Sequence, residues 1–305
     1  MAASRPSDWA VVVNPTKFED LAAVKARVAE LAQSESWPEP RWYETTEADP
    51  GTGQARQAVA EGAGLVCSLG GDGTVRAVAE GLLDAGVPLG LLPGGTGNLL
   101  ARNLGVPIDD LAAALVVAVT GKDAPVDAGL VSFDGAEPQV FLVIAGMGLD
   151  AQAVGGASME LKRQLGWFAY AVSGVRSLVR SGFRVSVRAG SRRTFTQNAA
   201  TVMIGNCGEL TAGLKVMPEA KVDDGLLDAL VVSPRTIGAW LAVGVHFLTR
   251  NRFGHSSIVH LVGPEVSVAA TRPTDAQLDG DPVGQATRLE CSVRPGALRV
   301  RVPQD

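Results

Sequence analysis

Up to about residue 120, strand-length apolar runs alternate with segments of helical periodicity, and few folds accept that rhythm. WAVVVN at 9–14 reads as a strand, and EDLAAVKARVAELAQ at 19–33 repeats apolar positions at helical spacing. RWYETT, GTGQARQAVAEG, GLVCSLG, TVRAVAEGLLDAG and VPLGLLPGG continue as strand, helix, strand, helix and strand. Parallel strands need long crossovers and helices supply them, so the pattern predicts an α/β domain whose parallel sheet is covered on both faces.

From Val126 the rhythm changes. PVDAGLVSFDG, QVFLVIAGMGLD, FRVSVRAG, TFTQNAATVMIGN, LLDALVVSP, SIVHLVGPEVSVAA and TRLECSVRPGALRVRV follow as strand candidates punctuated by Gly, Pro or Asp. Two helical stretches interrupt them, at 158–182 and 236–250. The 305 residues therefore divide into an α/β domain over 1–125 and a mostly β domain over 126–305, with GKDAPV at 121–126 as the connecting hinge. The last strand, from about 293 to 305, is open to returning to the first domain.

Two glycine-rich stretches leave apolar strands of the first domain: GGDGT at 70–74 and PGGTGN at 93–98. Glycine and aspartate both suit a tight turn. Missing side chains also let backbone N–H groups reach an anion at the start of a helix. In a parallel sheet, loops at the C-terminal ends of the strands gather along one edge, where ligands bind, so both stretches can face one phosphate chain. Neither is a Walker loop or a GxGxxG dinucleotide fingerprint.

The formal net charge of −5 argues against a general nucleic-acid binder, which needs a surplus of cations over phosphate. Cys67, Cys207 and Cys291 have no metal-ligand spacing and read as reduced core thiols. His246, His255 and His260 show no ligand pairing either. The N-terminus has no long apolar signal core, and no run is long enough to span a bilayer, TIGAWLAVGVHFLTR at 236–250 included. A cytoplasmic protein is expected. The 158–182 helix mixes Lys162, Arg163, Arg176 and Arg180 with Trp167, Phe168 and Tyr170, which suits either an anionic membrane surface or a packed helix with a solvated cationic face.

Six motifs in order along nearly the whole chain carry a resemblance: Asn14-Pro15, GGDGT, PGGTGN, GMGLDA at 146–151, DDGLLD at 223–228 and QLDGD at 277–281. Together the chain resembles the diacylglycerol kinase catalytic-domain family, which includes bacterial lipid kinases and sphingosine kinases. GGDGT alone is shared with NAD kinases and phosphofructokinases. The resemblance implies an α/β nucleotide-binding domain of that kind, a β-sandwich lipid-binding domain, and ATP in the cleft between them. It implies an ATP- and Mg²⁺-dependent lipid kinase, with diacylglycerol as acceptor and phosphatidic acid as product, peripheral at the inner membrane face and homodimeric like bacterial members. The rivals are a kinase for a sphingoid or other lipid, or for NAD, and a catalytically weak lipid-binding regulator of the same fold.

Carried over residue by residue, the resemblance assigns ATP to Asn14, Pro15, Thr46, Gly70, Gly71, Asp72, Gly73, Thr74, Gly95, Thr96 and Asn98. A carboxylate facing a polyanion is repelled unless a cation intervenes, so Asp72 implies Mg²⁺, with Asp127 in the same network. A structural Mg²⁺ is implied at Asp224, with backbone oxygens near Lys221 and Leu226. Asp281 stands where the family typically has a glutamate that accepts the lipid hydroxyl proton, and a base needs hydrogen-bond reach of that proton. In sphingosine kinases the aspartate corresponding to Asp72 takes that role. Both Asp-Gly stretches also read as hairpin turns. Arg76-Ala77 and Leu99 depart from the family pattern, which is polar at those places; Arg76 either adds charge near phosphate or points to solvent.

Overall fold

A computed structural model of the chain describes residues 8–148, 182–210, 215–234, 236, 238–240, 242–243 and 257–304. The helix expected at 158–182 lies outside these residues except for Gly182. So do most of the helix expected at 236–250 and the end of GMGLDA. The chain forms two compact units, residues 1–128 with 295–305, and residues 129–294.

In the first unit, β1 (Ala10–Val13), β2 (Arg41–Glu44), β3 (Val66–Gly70) and β4 (Leu89–Pro93) alternate with α1 (Leu21–Ser34), α2 (Thr52–Ala60) and α3 (Asp72–Leu82). The strands pair in the order β2-β1-β3-β4, all parallel. β1 and β3 are buried along their whole length, as strands with both faces covered must be. α3 turns Val75, Val78, Ala79 and Leu82 inward at helical spacing. Two short helices follow, α4 (Leu99–Asn103) and α5 (Leu111–Thr120), the latter capped by Asp110, whose carboxylate accepts from the amides of Ala112 and Ala113.

GKDAPV, expected as the connecting hinge, is strand in all but Gly121: it begins β5 (Lys122–Phe133). Gly121 ends α5 by donating to Val117 O. The buried Arg301, on the terminal strand β14 (Asp281–Val302), donates to Gly121 O at 2.9 Å and pairs with Asp123 at 2.9 Å. That pull holds the chain extended. The end of β14 lies parallel to β4 through Val300 and Leu89.

The second unit adds β6 (Gln139–Phe141), β7 (Ile144–Met147), β8 (Phe183–Ala189), β9 (Phe195–Ala199), β10 (Thr201–Gly205), β11 (Leu227–Val232), β12 (Ile258–Gly263) and β13 (Glu265–Leu278). Its strands pair antiparallel, in the order β12-β11-β10-β7-β13-β14, with β8 between β13 and β9. β13 serves two neighbours, β8 along Val266–Ala270 and β7 along Ala276–Leu278. Between them its register slips at the stretch holding Pro273, which has no N–H to give a ladder. Phe183, Val187, Val202, Leu227, Val268 and Leu289 join in one core.

Three expected strands are each broken in two. Pro264 separates β12 from β13. At Ala200 the chain changes partners, from β8 to β7 and β11, and the Ala200 amide turns to Val232 O. At Leu142–Val143 the backbone leaves the ladder because its amides bind a carboxylate, Asp279.

Candidate active site

Gly71 and Gly95 meet as bare backbones. A Cβ on Gly95 would stand 2.6 Å from Gly71 Cα, and one on Gly71 would stand 3.6 Å from Gly95 Cα. The Gly94 amide donates to Gly70 O at 2.9 Å, so the two glycine loops are joined where they leave β3 and β4. A Cβ on Gly70 would stand 2.7 Å from Thr74 Oγ1. At Gly70 and Gly95 there is no room for a side chain, whereas a Cβ on Gly71 would make only ordinary contacts.

Asp72 fastens the second loop to the first. Its Oδ1 accepts from the Leu99 amide at 2.6 Å, and a Cβ on Gly97 would overlap its Oδ2. Arg102 supports the same loop by donating from Nε to Gly97 O at 2.8 Å. Asn98 is buried in the left-handed region at φ 48°, a conformation asparagine tolerates. Its side-chain amide closes the turn in both directions, donating to Gly95 O at 2.9 Å and accepting from Gly95 N at 3.2 Å. Leu99 departs from the family in its side chain, which is buried. What the site uses is its N–H.

Among the residues expected at the nucleotide, Asn14 joins the cluster through Nδ2, 3.4 Å from Thr74 Oγ1, and its Oδ1 accepts from Thr16 N and Oγ1. Pro15 begins the 3₁₀ turn Pro15–Lys17 that Asn14 caps. Gly73 lies in the first turn of α3, whose cap, Gly71, gives no side-chain bond. The leading N–H groups of a helix without such a cap suit an anion. Thr96 is exposed at the tip of its loop. Thr46 is exposed too, and it organises a different loop: its Oγ1 accepts from the Asp49 amide at 3.1 Å, and Asp49 in turn accepts from Gly51 and Gly53. Sequence reasoning missed Lys17, an exposed cation whose Cε lies 3.8 Å from the place of a Cβ on Gly71. Its signal was a cation three residues after Asn14.

Asp127 is buried on β5, and its Oδ1 accepts from the Gly296 amide at 2.7 Å. That bond ties β5 to β14. Among the described residues no three of His, Cys, Asp and Glu gather to hold a metal. One carboxylate among polyphosphate donors nevertheless fits Mg²⁺, which is commonly held by one or two carboxylates, waters and the phosphates themselves. Bare glycines and uncapped amides likewise fit a phosphate chain.

In the second unit, Asp279-Gly280 is a two-residue hairpin turn with φ 47° and 92°, the left-handed pair that Asp-Gly favours. Asp279 is buried, and its carboxylate accepts from the amides of Leu142, Val143 and Ile144 at 2.9–3.1 Å, while its own amide donates to Ile144 O. Asn206 and Cys207 both donate to Leu142 O from the other side. Asp281 follows this knot, exposed at the start of β14 and paired across the turn with Leu278. Asp279 was the residue sequence reasoning passed over; a buried acid in an LDG turn was its signal. Asp224 is exposed and accepts from the Leu226 amide at 3.0 Å, beside Gly225 at φ 70°; Lys221 is exposed at the start of the same loop.

All three cysteines are buried, and burial pushes Cys67 and Cys291 up to about 12 and Cys207 still higher. None is a nucleophile.

Comparison with known proteins agrees over both units. Residues 8–131 match the diacylglycerol kinase catalytic domain, and residues 142–302 match the YegS C-terminal NAD kinase beta sandwich-like domain. A Pseudomonas fluorescens protein named "probable lipid kinase YegS-like" is 33% identical over 268 residues, covering 86% of this chain and 85% of its own. The diacylglycerol kinase of Bacillus subtilis is 26% identical over 276 residues, 89% of this chain and 88% of its own. An uncharacterized Synechocystis protein is 30% identical over 253 residues, 81% of this chain; the match spans 57% of that longer relative. Among solved structures, a diacylglycerol kinase from Bacillus anthracis superposes with a TM-score of 0.73 at 22% identity, covering 98% of both chains. An NAD kinase from Archaeoglobus fulgidus in complex with ATP gives 0.51 at 13% identity, over 97% of this chain and 94% of its own. These two share its fold.

Proposed function

Because the chain belongs to the diacylglycerol kinase catalytic-domain family, we propose that it transfers the γ-phosphoryl group of ATP to the hydroxyl of a neutral lipid, diacylglycerol, to give phosphatidic acid. The observation that carries this reading is the approach of Gly71 to Gly95, fastened by Asp72 and Leu99. Such a paired backbone surface has no use for a folded core and suits a chain of phosphates.

In this reading the first unit binds ATP and the second the lipid. Backbone amides at the start of α3 take the phosphates, with Lys17 and Asn14 beside them. Asp72 is the carboxylate available to Mg²⁺, which when bound with ATP neutralises phosphate charge. Asp281 accepts the proton of the lipid hydroxyl on a carboxylate oxygen as the new P–O bond forms and the bond to ADP breaks. Aspartate does the same acid–base chemistry as the family's glutamate from a side chain one methylene shorter. Positioning and charge stabilisation supply most of the rate in such a transfer.

The deciding experiment incubates the protein with γ-labelled ATP and a panel of dispersed acceptors: diacylglycerol, monoacylglycerol, a sphingoid base and NAD. Labelled phosphatidic acid is expected. Label in another lipid or in NAD would move the acceptor, and ATP binding with no labelled product at all would make the protein a non-enzymatic member of its family.

A further inference from the structure

The hairpin of β8 and β9 carries Arg184, Arg188, Arg192 and Arg193, and from Gly182 to Gly208 the sequence has no carboxylate. Along β8 the side chains alternate: Phe183, Val185, Val187 and Ala189 enter the core, leaving Arg184, Ser186 and Arg188 outside. Arg192 and Arg193 are exposed in the connection that follows. All four arginines are exposed, and among the described residues none takes part in an ion pair. Elsewhere among the described residues, Lys25, Arg27, Arg41, Lys215, Arg288 and Arg301 are each within 4 Å of a carboxylate. In a chain of net charge −5, such a concentration of exposed cations is a local reversal of sign.

The rest of the outward face is small and hydrophilic. Ser186 and Thr196 hydrogen-bond across the hairpin at 2.9 Å, Asn198 stands opposite Arg184, and Ser267 stands opposite Arg188 on β13. The carboxylates on the adjoining strands are Glu265 and Asp275 on β13 and Asp281 and Glu290 on β14; Glu290 already lies 3.9 Å from Arg288, and Asp275 accepts from Gln285 at 2.9 Å. Arg184 and Arg188 are four residues apart on one strand, about 13 Å, so they reach separate anionic groups on a plane. Among the described residues the face presents no aromatic ring of the kind that single-stranded nucleic acid stacks on.

We infer that the β8–β9 hairpin is a docking surface for a bilayer rich in anionic phospholipid, held through the phosphates of several headgroups at once. The inference rests on the lipid-kinase reading in one respect: an acceptor embedded in a bilayer obliges an acidic protein to approach an anionic plane, and only a cationic face can meet it.

The test is vesicle co-sedimentation of the whole chain, without ATP. Wild type is expected to bind vesicles made of equal parts phosphatidylcholine and phosphatidylglycerol, to ignore phosphatidylcholine alone, and to be released by salt. R184Q/R188Q and R192Q/R193Q should each bind roughly thirtyfold more weakly, at about 1 kcal/mol per arginine, with unchanged thermal melting. R184K/R188K keeps the charge and should keep most of the binding. Both glutamine variants should phosphorylate detergent-dispersed acceptor like wild type.

Unaltered vesicle binding in the glutamine variants would overturn the assignment, as would wild-type binding to both vesicle types alike. Capture of single-stranded polynucleotide by wild type, lost in the variants and without vesicle binding, would overturn it in favour of another polyanion. Because the readout is binding, a protein that phosphorylates nothing yet shows this pattern keeps the surface and loses only the enzymatic reading.

Discussion

The amide of Leu99 donates to Oδ1 of Asp72 across 2.6 Å, so the carboxylate in one glycine loop is the acceptor that organises the other. Asp72→Ala should therefore do two separable things. It should lower stability by about 1.5–3 kcal/mol, the worth of a hydrogen bond to a charged group, and it should weaken ATP binding because the second loop loses its anchor. Asp72→Asn keeps an acceptor for Leu99 and removes the charge. Melting of the Asn variant near wild type, with ATP binding lost, would isolate the charge; calorimetry with and without Mg²⁺ reads both quantities.

Gly95→Ala puts a methyl group 2.6 Å from Gly71 Cα. The neighbour is backbone and cannot rotate away, so the loops must part. We expect overpacking of about 1–3 kcal/mol and at least tenfold weaker ATP binding. Equal ATP affinity in titration would mean that the close approach has no part in holding phosphate.

Asp279 and Asp281 lie two residues apart and should answer mutation oppositely. Asp279→Ala strips the acceptor from three amides in the buried knot and should cost about 3 kcal/mol or more, read as a fall in Tm. Asp281→Asn should melt like wild type and bind ATP alike, yet lose phosphoryl transfer by about 10²–10⁴-fold, the usual worth of a general base. Asp281→Glu reports whether the acceptor site suits the longer side chain. Wild-type turnover in the Asn variant at saturating lipid would hand the role of base to Asp72.

If Asp224 helps to hold a structural Mg²⁺, chelator should lower the melting temperature of wild type and leave Asp224→Ala where it already is, since a ligand of the folded state stabilises by mass action. Identical melting of wild type with and without chelator would remove that metal from the account.

Asp134 accepts from Thr287 through both its amide and its hydroxyl, and from the Arg288 amide. The Thr287 hydroxyl, chiefly, holds its carboxyl below the ordinary 3.8. A depressed folded value means that the unfolded chain takes up the proton first, so the stability is present above 3.8 and fades as pH falls through the lower folded value. Asp134→Asn should flatten that part of the acid limb in melts taken from neutral pH downward. An acid limb unchanged in the variant would mean the bonds carry no linkage.

Periodicity made the first unit's strands and helices legible, because a strand buried on both faces and a helix buried on one leave different apolar spacings. Breaks in the β unit were less so. Pro264 announces one of them in the sequence, but the break at Leu142–Val143 is caused by Asp279, some 136 residues away, and no local pattern encodes such a partner. GKDAPV is expected as a hinge because the rhythm of the sequence changes there, and it is strand, with Arg301, near the other end of the chain, bound to Gly121 and Asp123. Likewise the glycine loops were visible as glycines, while the part played by Leu99 is a backbone amide, which its side chain does not advertise.

The first unit is finished by residues 295–305, whose strand lies against β4 through Val300. During synthesis residues 8–128 therefore leave the ribosome with the outer edge of β4 unclothed, and must wait for the whole β unit to be made before their sheet is complete. A fragment ending at Ala128 would repeat that interval permanently, with an apolar strand edge open to other chains. The sheet of the first unit is thus closed only by a strand that follows the entire β unit in the chain.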